Sequence, residues 1–321
     1  AGVALDPGPG HLMAVARGVA AGGSGDGRAA LGQSGSDGLS EFSVWISGLG
    51  STGGVDGDAN ASGLDYSLWG TAFGLDYSVA PGLLLGVAGG YVSGSMSVDG
   101  FAKDTDSKTL SIVGYGSFAK GPLHIDALAG YANARNSLDR VIASPELETG
   151  SARGRNHAGQ FLGQIDTGYR FDLGASGKTA ITPFARLQMV SINQRAFTET
   201  GSSNYNLTLD SRSTTSVRSS LGADVAAGLS VGKATPLDLG LRLGWAHEFG
   251  DPVHSMTAAF ASSPAVPFTV HGAALNRDSA LIGASVASRI GESWSLFVSY
   301  DGELGGGGND HQFRGGIKIT W

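Results

Sequence analysis

Leu237-Asp-Leu-Gly-Leu-Arg-Leu-Gly-Trp245 decides the architecture. Every odd position is Leu or Trp, and the even positions are Asp238, Gly240, Arg242 and Gly244. A period of two places these sets on opposite faces of a strand, whereas a helix spreads them around its circumference. The pattern recurs on both sides of this stretch. Ser293–Asp301 lines up Trp294, Leu296, Val298 and Tyr300, and Gly121–Tyr131 lines up Leu123, Ile125, Ala127, Ala129 and Tyr131. Gln160–Asp172 sets Phe161, Ile165, Tyr169 and Phe171 against Gln160, Gln164, Asp166 and Arg170. Val217–Val231 alternates Leu221, Ala223, Val225, Ala227 and Leu229 with Arg218, Asp224 and small residues.

The polar faces carry isolated charges among Gly and Ser, and the apolar faces often end in an aromatic residue. A soluble sandwich buries its apolar face and wets the polar one. An apolar exterior with aromatic girdles around a polar interior is the pattern of a transmembrane barrel. Composition agrees: 15% of residues are charged and 53 of 321 are Gly, against about 25% charged and 7% Gly in soluble domains. The net charge of −7 and the scattered Lys and Arg argue against a nucleic-acid partner. With no Cys in the chain, disulfide frameworks, thiolate metal sites and Cys nucleophiles are excluded. Tyr77–Val98 carries no charge and could suit a membrane helix by length. Its Pro81, five Gly and four Ser fit a hairpin turning at Pro81-Gly82 better. No secretory leader is legible in residues 1–10, so the expectation is a mature chain or an excised domain.

Connections alternate between two classes. Short ones are expected at Ala80–Gly82, Lys120–Pro122, Leu173–Lys178, Gly232–Pro236 and Gly291–Glu292. Longer polar ones are expected at Ser51–Ser62, Asp99–Thr105, Ala143–Arg155, Phe197–Ser213, Gly250–Asn276 and Leu304–Asp310. Short periplasmic turns alternating with long extracellular loops, and an even strand count of about twelve, predict an all-β, antiparallel transmembrane barrel. Closure removes its edges. Asp126, Asp166, Arg170, Arg186, Arg218, Asp224, Asp238, Arg242, Arg314 and Lys318 are expected to face the lumen, because facing lipid costs about 2–4 kcal/mol for Arg or Lys at mid-membrane. At the C-terminus, Arg314, Gly316, Ile319 and Trp321 match the outer-membrane assembly signal: a polar residue, then Gly, then a hydrophobic residue, and an aromatic last.

Catalytic strings fail on context. Gly228-Leu-Ser230-Val-Gly232 matches a nucleophile elbow in letters but closes an alternating strand, whereas an elbow turns into a helix. Gly174–Thr179 has two residues between its glycines where a phosphate loop needs four. The seven His form no compact ligand pair along the sequence, and Asp99, Asp104 and Asp106 lack calcium-loop spacing. No enzyme, cofactor or metal is expected.

From Glu41 to Trp321 the chain resembles the autotransporter β-domain of type V secretion. The resemblance rests on ordered fragments: Val44-Trp45 with Gly48-Leu-Gly50, Gly74-Leu-Asp76-Tyr77, Gly86-Val-Ala-Gly-Gly-Tyr91, Thr182-Pro183-Phe184 with Leu187-Gln188, Phe197-Thr-Glu199, Trp245-Ala-His247-Glu248-Phe249, Tyr300-Asp301-Gly302-Glu303 and Trp321. It implies a monomeric twelve-stranded barrel in a Gram-negative outer membrane. A lumenal segment then leads to an N-terminal passenger, exported with the help of barrel assembly machinery. Residues 1–40 read as a Gly-rich linker with a short helix around 11–21, and residues 41–321 as the barrel. No two Asn are adjacent, so the paired-Asn cleavage junction of one subgroup is missing. The other reading of this composition is a self-standing porin.

Overall fold

The computed structural model describes residues 42–321, except 60, 99–104, 145–146, 175–177, 203, 232–234, 252–254 and 275–276. The linker of 1–40 and the helix expected around 11–21 lie outside the described residues.

Numbered along the chain, the strands are β1 (Phe42–Val55), β2 (Leu64–Ala80), β3 (Leu83–Val98), β4 (Thr105–Lys120), β5 (Leu123–Ser144), β6 (Leu147–Tyr169), β7 (Phe171–Leu173) and β8 (Thr179–Gln194). Then come β9 (Phe197–Thr198), β10 (Leu207–Leu209), β11 (Arg212–Val231), β12 (Thr235–Glu248), β13 (Ser255–Phe260), β14 (Phe268–His271), β15 (Asp278–Ile290), β16 (Trp294–Gly305) and β17 (Gly308–Thr320). Among the described residues, twelve long strands form one antiparallel ring: β1 to β6, β8, β11, β12 and β15 to β17. The β8–β11 pairing closes it, and β7 prolongs β6 against β8.

First and last strands are neighbours. Ser43 sits opposite Thr320, and Phe42 and Trp321 exchange two backbone hydrogen bonds of 3.1 and 3.0 Å. At this end, among the described residues, tight turns join β2 to β3, β4 to β5 and β15 to β16. Pro81-Gly82 makes the turn between β2 and β3, as its residues predict. Gly82 has φ 78°, and a Cβ there meets the Ala119 carbonyl oxygen at 2.1 Å. Only Gly tolerates both conditions.

At the other end, two connections expected as loops are strand. β5 and β6 run on through Ser144 and Leu147, so Ala143–Arg155 is mostly hairpin. Arg153, Arg155 and His157 point out while Ala152, Asn156 and Ala158 are buried. Beyond the membrane both faces of a strand can be polar, so the apolar alternation that marks a strand fades there. Leu304–Asp310 is likewise a tight hairpin, with Gly305 opposite Gly308. Its glycines permit a sharp turn rather than a long loop. The connections Phe197–Ser213 and Gly250–Asn276 contain β9, β10, β13 and β14, which pair into a small separate sheet. Leu207, Leu209, Met256 and Ala258 form its core, backed by Leu138, Phe197 and Phe268.

Burial alternates along the barrel strands, in β2 almost without a break. In a closed ring the buried set makes the inner wall. Phe73, Leu110, Ile112, Leu241 and Leu243 are each more than 60% exposed on the outside. Aromatic residues border this apolar band. Phe42, Tyr77, Tyr169, Phe171 and Trp294 stand near the turn end, with Trp69, Tyr131, Phe161 and Trp245 towards the loops. From Tyr169 to Phe161 a rise of ~3.4 Å per residue and a ~40° tilt give about 21 Å of height, close to the ~25 Å lipid-facing band of outer-membrane barrels.

Candidate functional site: the inner wall

The inner wall is built from the buried set of each alternating strand, and its charges pair across strands. Asp126 on β5 stands opposite Asp166 on β6, which stands opposite Arg186 on β8. The Arg186 Nε donates to Asp166 at 2.6 Å, and His124 Nε2 lies 3.8 Å from the other Asp166 oxygen. All of Asp126, Asp166 and Arg186 are buried. Asp224 on β11 faces Arg242 on β12, which grips it with Nε and Nη2 at 2.7 and 2.8 Å. The Arg242 guanidinium also covers the Phe184 ring at 4.8 Å, a cation–π contact in addition to the ion pair.

Arg314 donates to Asp301 on the adjacent strand. The Arg218–Glu303 pair spans farther, since β12 and β15 separate β11 from β16. Lys318 reaches Asp76 at 2.5 Å. Asp76 also accepts from Trp45 Nε1 at 3.2 Å, from Ser43 and from the Tyr115 hydroxyl. Room for these flat aromatics comes from Gly. A Cβ on Gly74 lies 2.5 Å from the Trp45 indole, and one on Gly86 lies 2.3 Å from the Tyr115 ring. Gln188 bonds Gln164 at 2.7 Å, and Asp310 accepts from Ser51 and Tyr66 at 2.6 and 2.8 Å near the loops.

Of the ten residues expected at the lumen, Asp126, Asp166, Arg186, Arg218 and Arg314 are buried, and Asp224, Asp238, Arg242 and Lys318 are partly buried. Asp238 sits near the start of β12 opposite Gly228 and Ala287. Arg170 falls between β6 and β7 rather than within a strand and binds Asp172 at 2.7 Å. At the assembly signal, Arg314 and Gly316 lie in β17 beside β16 and β1, Ile319 pairs with Val44 and Trp294, and Trp321 is exposed just past β17.

Sequence reading missed Trp45, Asp76, Tyr115, Asp301 and Glu303, because their partners lie on other strands. It also missed a convergence of His124, Asp126 and Asp166, whose ligand atoms all lie within 4.8 Å of one another. The signal was available as a His and an Asp two apart on one face. Arg186 already compensates Asp166 there. Ser230 lies in extended β11 opposite Pro236, so the strand–turn–helix of a nucleophile elbow is not formed.

A closed antiparallel ring with an apolar exterior, aromatic borders and a polar, charge-paired interior is a transmembrane β-barrel. Residues 44–301 match the family model described as "Autotransporter beta-domain". The chain belongs to that family, and it is an outer-membrane translocator domain. It is 28% identical over 282 residues to an "Extracellular serine protease" of Serratia marcescens, covering 87% of this chain and 26% of that protein. It is 26% identical over 201 residues to "Outer membrane protein A" of Rickettsia conorii, covering 60% of this chain and 10% of that protein. The chain thus spans about a quarter of the first relative's length and a tenth of the second's. Among solved structures, the translocator domain of autotransporter NalP from Neisseria meningitidis aligns with a TM-score of 0.73 at 14% identity, covering 97% of this chain and 96% of that one. The β-domain of the Bordetella autotransporter BrkA gives 0.65 at 17% identity, covering 87% and 99%.

Proposed function

We propose that the barrel anchors an N-terminal passenger in cis and carries its connecting segment through the lumen to the cell surface. The observation that carries this reading is the compensated inner wall. Arg186, Arg218, Arg242, Arg314 and Lys318 each have a carboxylate partner. A polypeptide passing such a wall meets paired charges rather than a field of one sign, so chains of varied sequence can move or rest there. In this reading the ten lumen residues form the wall, residues 1–40 thread it, and residues 41–321 are the barrel. The domain works as a monomer, without a catalytic group or cofactor of its own. Barrel assembly machinery reads the Arg314, Gly316, Ile319 and Trp321 signal.

Single-channel conductance in a planar bilayer, with and without residues 1–40, tests this. The expected result is low conductance that rises several-fold when the segment is removed. High and equal conductance in both forms sinks the threaded-lumen reading and favours an open porin.

A further inference from the structure

A second set of basic residues lies on the outside. Lys108 on β4 stands opposite Arg135 on β5, and Arg135 stands opposite His157 on β6. Arg195, just past β8, continues the row by donating its N–H to the His157 carbonyl at 3.2 Å. Arg155 is two residues from His157 on the same face. All five are exposed, and no hydrogen bond or ion pair joins their side chains to a described residue. Of the carboxylates nearby, Asp106 lies on the same outer face one row further towards the loops, opposite Ser137, which stands opposite Arg155, and Asp139 is bound by Arg153 at 3.1 Å.

Like charges directly opposite each other on adjacent strands are destabilising. Here Lys108 and Arg135 are direct cross-strand neighbours, the His157 imidazole continues their row, and Arg195 follows it. Two rows towards the membrane, Ile112, Tyr131 and Phe161 are cross-strand partners in the apolar band and its aromatic border. The cations therefore sit beside the polar edge of the bilayer at the loop end. On β1 to β3 the loop-end outer face carries the hydroxyls of Thr52, Ser67 and Ser95 and the carboxylate of Asp65 instead. An anionic surface turns the mutual repulsion into shared attraction, and guanidinium groups match phosphate oxygens with two hydrogen bonds. Basic residues close to anionic headgroups gain appreciably from each charge.

We infer that Lys108, Arg135, His157 and Arg195, with Arg155, form a docking site for phosphate-bearing lipid headgroups in the leaflet at the loop end. This rests on the reading of the chain as an outer-membrane barrel. The test uses the full chain in phosphatidylcholine nanodiscs doped either with lipid A carrying two phosphates or with the same lipid freed of them. Lipid retained per barrel after mild detergent extraction is counted by native mass spectrometry. The expected result is at least tenfold greater retention of the bisphosphorylated lipid. That excess falls several-fold in K108Q/R135Q/H157Q/R195Q and persists in K120Q/R289Q, whose cations are exposed at the turn end. For the unaltered chain it shrinks at about 1 M salt, where screening reaches ~3 Å, so the result does not depend on any variant folding. Equal retention of the two lipids, an excess insensitive to salt, or full retention by a heat-modifiable fourfold variant overturns the site. A chain that never forms a heat-modifiable barrel in any bilayer overturns the barrel reading itself.

Discussion

Arg186, Arg218, Arg242, Arg314 and Lys318 on the inner wall each meet a carboxylate, whereas Lys108, Arg135 and His157 on the outer face have one another as cross-strand neighbours. The difference follows from what each surface touches. Inside a closed ring the wall is its own environment, so a charge is balanced by the neighbouring strand or stays costly. Outside, beyond the apolar band, headgroups and water supply the balance. The same residue types are therefore structural within the ring and available for contact outside it.

Breaking an inner pair has the largest expected effect. Arg186→Leu leaves Asp166 buried without the guanidinium that grips it, at a cost of about 3–5 kcal/mol. The midpoint of heat modification on gels falls accordingly, and adding Asp166→Leu recovers most of the loss. A double variant no better than the single one breaks the claim that pairing, rather than volume, matters there. Next comes a charge forced onto the outer band. Leu241, 61% exposed and midway along the Leu237–Trp245 stretch, is expected to cost about 2–4 kcal/mol as Leu241→Arg. Urea unfolding from lipid vesicles reads this, and an unchanged midpoint contradicts a lipid-facing position.

Smaller again is Gly86→Ala, which presses a methyl group against the Tyr115 ring. Overpacking of this kind costs about 1–3 kcal/mol, and Tyr115→Phe in the same background tests whether the Asp76 network shares the loss. The smallest effect is expected for Arg135→Gln in uncharged detergent, within ~0.5 kcal/mol. A larger destabilisation there reveals a structural partner and erases the contrast between the two cation sets.

Legibility followed chemistry along the strand. Leu237–Trp245 announced its own faces, and Pro81-Gly82 announced a turn that the structure forms. Arg242 and Asp224 could be read as the polar side of their strands, yet neither names the other in sequence. The Lys318–Asp76 pair joins residues from opposite ends of the chain, so no local pattern could connect them. The hairpin of β5 and β6 was hidden because its outer face is polar, and the sheet of β9, β10, β13 and β14 because its strands are short and come from two separate connections.

By itself the sequence determined the all-β class, the lipid-compatible alternation and the even, antiparallel strand order, since these depend on side chains two apart and on turn residues. Tertiary structure decided which charges meet, how Gly74 and Gly86 make room for Trp45 and Tyr115, and how cations from separate strands align on one outer face. Those outcomes depend on cross-strand register, which is set only when the ring closes and every backbone group finds its partner.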